Sequence, residues 1–83
     1  MTRYEIHYRG VPHAAGAYHV ESVHSTPGAA AHAWLGLGPA LRRERLLVEI
    51  ADDGTERPLI VEKGADWLQV GYMDGGRIHS ERW

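Results

Sequence analysis

The chain contains no cysteine, which removes disulfide scaffolds, thiolate zinc sites and thiol nucleophiles from consideration. It has no apolar stretch approaching the ~18 residues of a membrane-spanning helix, because glycines and His32 interrupt its most apolar region. Nor is positive charge in excess. Nine Lys plus Arg stand against eleven Asp plus Glu, for a formal net charge of −2, so the general attraction to phosphates that nucleic-acid binders use is missing. Met1 to His7 alternates polar and apolar residues, unlike the unbroken apolar core of a secretory signal, and a cytoplasmic protein with no membrane association is the expectation. No Gly-x-Ser-x-Gly elbow, His-Glu-x-x-His pair or Walker-type loop is present. Gly36-Leu37-Gly38 lacks the third glycine of a dinucleotide fingerprint and follows a predicted helix instead of a strand.

What remains is the composition of a folding chain. Its 83 residues are 43% hydrophobic and 24% charged, which suits one domain over residues 1–83 with one core. From Arg3 to Arg9 the residues Tyr4, Ile6 and Tyr8 alternate with Arg3, Glu5, His7 and Arg9, the period of a strand with the first set buried and the second in water. Gly10 to Gly16 supplies the breakers of a hairpin loop. A second strand then begins near Ala17, with Tyr18, Val20 and Ser22 inward and His19 and Glu21 outward.

Thr26-Pro27 opens a helix, the hydroxyl capping an orphan N–H and the proline occupying a position that needs none. Ala30, Ala33, Trp34 and Leu37 form its apolar stripe, and Gly36, Gly38 and Pro39 end it. A short turn over Ala40 to Arg45 leads to a strand in which Leu46, Val48 and Ile50 alternate with Leu47, Glu49 and Ala51. Its oily side should face Trp34. Asp52-Asp53-Gly54-Thr55 makes a hairpin with the strand from Arg57 to Val61, where Pro58 argues for an edge or a strand start. Lys63 to Asp66 and Asp74-Gly75-Gly76 are further turns around strands at Trp67–Met73 and Arg77–Trp83. The expected fold is α+β: one helix packed on an antiparallel sheet, in the order ββαββ(ββ).

The chemistry-bearing residues are few. Six histidines occur, and if the first two strands pair, His7 and His19 emerge on one wet surface near Glu21, a donor set that could hold zinc. Their spacing matches no ligand motif, and a solvated polar face explains them as well, so no metal or other cofactor is expected. Asp52 and Asp53 are turn formers. His32 is assigned no role. Arg42, Arg43 and Arg45 concentrate guanidinium groups that could grip a phosphate backbone or an acidic protein surface, although Glu44 interrupts them. Trp83 closes the last strand, where an open sheet edge could pair with another chain.

The preferred expectation is a non-catalytic protein-binding module, of the accessory or inhibitor kind carried by mobile elements and phages, acting through a sheet face or edge on a protein partner or as a homodimer. A small His/Glu enzyme and a nucleic-acid binder using the arginine cluster are the alternatives.

Overall fold

In the computed structural model, which describes residues 1–8 and 19–83, six antiparallel strands and two short helices follow one another. They are β1 (Arg3–Tyr8), β2 (His19–His24), α1 (Pro27–Gly36), α2 (Gly38–Arg42), β3 (Arg45–Ile50), β4 (Glu56–Lys63), β5 (Trp67–Tyr72) and β6 (Arg77–Arg82). The strands lie in the order β2-β1-β3-β4-β5-β6. The α+β reading and the element order hold. The loop expected over Gly10 to Gly16, with Arg9, Ala17 and Tyr18, lies outside the described residues.

Each local feature has a visible cause. The Thr26 hydroxyl accepts from the Ala29 N–H at 3.2 Å and Pro27 takes the first helical position, as the capping argument requires. Gly38 turns the chain between the helices at φ +79°, a conformation that an L side chain would strain. The short turn expected after the first helix is α2. At Asp52–Thr55 the Asp53 carboxylate accepts from the Thr55 N–H at 2.9 Å, and Gly54 supplies the left-handed position.

Strand β4 joins two ladders. Strand β3 pairs with Glu56–Pro58, whereas β5 pairs with Leu59–Lys63, so β4 changes partner at Pro58. A residue without an N–H sits where one ladder stops and the next begins. Pro58 is thus near a strand start, in an interior strand and not at an edge. Helix α1 touches both terminal strands, β2 and β6, as well as β1, β4 and β5.

Being clasped in this way, α1 buries more than the expected stripe. Ala30 and Ala31 are fully buried with Ile6, Leu47, Leu59, Leu68 and Val70, and Ala33, Trp34, Leu35 and Leu37 pack at the margin. The fully buried alanines let the helix sit close to the strands.

Three face assignments differ from the expectation. Directly opposed residues of paired strands share a face, and Ile6 opposes Leu47 while Glu5 opposes Val48. Leu47 therefore lies under the helix, and Val48 and Ile50 lie on the other side of the sheet. They are nonetheless buried. On that side Glu5 and His7, expected in water, are also buried, at 6% and 1% exposure. Both faces of the β1–β3 pair are shielded, so alternation of polarity does not separate a wet face from a dry one there.

The third difference is a bulge. Ser22 opposes Ile6 and Val20 opposes His7, which leaves Glu21 as an extra residue in β2. Ser22 stays on the helix side. Val20 moves to the outer face, beside Val23, instead of pointing inward.

Candidate interaction surface

The proposed zinc set does not assemble. His7 opposes Val20 on the outer face while His19 opposes Tyr8 on the helix side, so the two imidazoles occupy opposite faces of the sheet. The His7 Nε2–H donates to Glu5 Oε1 at 2.8 Å, and Arg3 donates to the second Glu5 oxygen at 2.6 Å. Burial by itself pushes the Glu5 carboxyl up; the hydrogen bonds from His7 and Arg3, with their charges, outweigh it and hold the group below its ordinary value. Glu21 is drawn away as well, into a two-pronged ion pair with Arg45. Among the described residues no three His, Asp or Glu side chains converge as a metal set.

The arginine cluster is divided in the same manner. Arg45 donates to both Glu21 oxygens and to the Leu41 carbonyl, with its guanidinium 4.7 Å from the Tyr8 ring centroid. Arg42 donates to the Leu35 carbonyl at 3.2 Å, closing the turn between the helices. Two of the three groups thus make hydrogen bonds within the fold.

A polar group that spacing had not suggested joins α1 to β6. His32 and His79 both approach Glu81 Oε1, at 3.1 and 3.3 Å. The His32 ring stacks on the Trp83 indole with centroids 5.1 Å apart, and Lys63 lies 4.5 Å from the same indole. His79 Nε2 is close to the carboxylate but makes no hydrogen bond with it, and among the described residues no other partner replaces it. Gly28 permits the approach, since a Cβ there would lie 3.1 Å from His79 Nε2. Glu81 brings a negative charge to the first turn of α1, which has no acidic residue of its own. The only advance sign was the i, i+2 spacing of His79 and Glu81, which shows a shared strand face but not the helix packed on it. Trp83 is half exposed yet engaged, and its backbone N–H donates to the Asp66 carbonyl at 3.0 Å.

The edge strands differ in how much remains open. β6 is held by these contacts and carries Arg77 and Arg82 on its exposed positions. In β2, His19, Val20, Glu21 and Val23 are exposed, Val20 at 40% and Val23 at 57%. Beside Val23 lies an open depression of about 420 Å³ lined by Met1, Thr2, Arg3, Val23, His24 and Ser25. A second groove of about 380 Å³ opens over Gly71, between Ile60, Met73 and Arg77. No helix among the described residues is long and apolar enough to cross a membrane. No protein-family model, no curated protein and no solved structure matches the chain.

Proposed function

We propose that the protein is a non-catalytic binding module that engages another polypeptide strand along the edge of β2. The observation that carries this reading is the pair of exposed valines, Val20 and Val23, on one face of a terminal strand. A terminal strand offers unpaired amides and carbonyls, and an added strand takes main-chain hydrogen bonds for affinity and side-chain contacts for selectivity. Protected edges often carry lysine, proline or a bulge; β2 has no lysine or proline, and its bulge at Glu21 keeps both valines on one face.

The test compares the full chain with a Val20→Lys/Val23→Lys variant as immobilised bait in a lysate of the source cells. Both positions face solvent, so circular dichroism should show the variant folded. Proteins retained by the parent and lost by the variant are the expected result. An identical retained set for both baits would remove the β2 edge as the working surface.

A further inference from the structure

The geometry points to a second copy of this chain as the strand that β2 accepts, in a two-fold antiparallel pairing centred between Glu21 and Ser22. The inference rests on the β2 edge being the interaction surface, and it names the occupant. In a regular strand, residues three apart point to opposite faces, and a two-fold axis could not set one directly against the other. The bulge at Glu21 changes this, because it places Val20 beside His7 and Val23 beside Glu5, on the same face. A symmetric copy then brings Val20 of each chain opposite Val23 of the other. Four valines that are 40% and 57% exposed in the single chain would cover one another as β-branched cross-strand pairs.

Charge does not oppose this register. The same centring sets Glu21 opposite Ser22 and His19 opposite His24, and Glu21 is already neutralised by Arg45 within its own chain. No like-charged carboxylates or guanidinium groups meet. Strand β6 also carries a bulge, between the pairs Val70–His79 and Gly71–Arg77. A symmetric copy that set Arg77 opposite Arg82 would also set His79, on the face of Val70, opposite Ser80 on the other face, so this register fails on faces as well as on like charge. Of these two registers, the β2 one keeps each opposed pair on one face.

A pairing of two six-residue strands is small beside the ~800 Å² per partner of a stable interface. The association should therefore depend on concentration, with a dissociation constant in the micromolar range or weaker, on the order of 10 µM to 1 mM. Sedimentation equilibrium of the full chain from ~1 µM to ~1 mM should carry the mean mass from the 9.3 kDa of one chain toward twice that value. Single variants Val20→Glu and Val23→Arg should each raise the dissociation constant tenfold or more. The double variant Val20→Glu/Val23→Arg should recover association at low salt, because each introduced carboxylate then faces an introduced guanidinium, and should lose it again at high salt. Ser80→Lys on β6 should leave the constant unchanged.

A mass that stays at one chain up to ~1 mM overturns the inference. So does a dimer that survives the β2 variants or dissociates with Ser80→Lys, or a double variant no better than the singles. If the parent is monomeric while lysate capture still depends on Val20 and Val23, self-association is refuted and the binding role of the edge stands with a different occupant. If capture is also indifferent to these residues, both readings fail together.

Discussion

The buried Arg3–Glu5–His7 ladder offers the strongest test of how the outer face is held together. Glu5 stands between Val23 and Val48 across the sheet, and its side chain is 8% exposed, whereas that of His7 is 1% and that of Arg3 is 50% exposed. Glu5→Ala withdraws the carboxylate to which both neighbours donate. Breaking a buried ion pair from one side costs ~3–5 kcal/mol, and the half-exposed Arg3 end places the expectation at about 3. For a chain of this length that is a fall in melting temperature on the order of 12–24 °C, and a large share of a total stability that is typically ~5–15 kcal/mol. Urea unfolding at pH 7, followed by tryptophan fluorescence, measures the loss. Together with His7→Ala and the double variant it also closes a cycle whose coupling should reach at least ~1 kcal/mol.

The pH dependence has a definite sign. The Glu5 carboxyl titrates lower in the folded chain than in the unfolded one, so its contribution is present above the unfolded value of ~4.3 and is lost as pH falls through the folded value. The parent's advantage over Glu5→Ala should therefore hold at pH 6–7 and shrink below about pH 4. A Glu5→Ala protein within ~1 kcal/mol of the parent at pH 7, or a difference independent of pH in the acid range, would refute a buried, paired carboxylate.

Two further perturbations probe the half of the sheet around β5. At Gly71 an added Cβ would lie 2.7 Å from the Gly76 carbonyl oxygen, a backbone atom, so Gly71→Ala should cost ~1–3 kcal/mol in a thermal melt. Gly36→Ala at the end of α1, where nothing lies within 4 Å, should cost nothing and gain up to about 1 kcal/mol; equal effects at the two sites would contradict the close approach at the bulge. The Tyr72 hydroxyl donates to Glu49, 3.0 Å from each carboxylate oxygen. Burial, then this bond and the Glu49 charge, raise the phenol above its ordinary value. Tyr72→Phe should cost about 1–2 kcal/mol near pH 7 and remove a late component of the tyrosine titration above pH ~10, followed by ultraviolet absorbance. The contribution is present below the unfolded phenol value and lost as pH rises through the folded one.

The strands, the turns and the capped helix were legible because each depends on residues within a few positions of one another. Thr26-Pro27, Asp53-Gly54-Thr55 and the alternation of Tyr4 and Ile6 with polar neighbours carry their own local physics. What could not be read is which face of a strand meets which layer. In β3 aliphatic residues stand on both faces, Leu46, Val48 and Ile50 against Leu47 with Glu49, and the pairing of Ile6 with Leu47 decides that the less apolar set goes beneath the helix. The same ambiguity hid the Glu5–His7 pair. Its i, i+2 spacing was visible, but polarity suggested water where buried Val48 and Ile50 stand instead.

The candidate surface depended on a still smaller feature. One unpaired residue, Glu21, shifts every side chain N-terminal to it in β2 to the other face, and a bulge leaves no periodic mark in a six-residue strand. Arg45, far along the chain, draws the Glu21 side chain to the helix side of the sheet. That long-range ion pair and the exposed pair Val20 and Val23 are thus two consequences of one irregularity. The charge and the apolar contact surface of this edge are specified together, even though neither is evident from either segment alone.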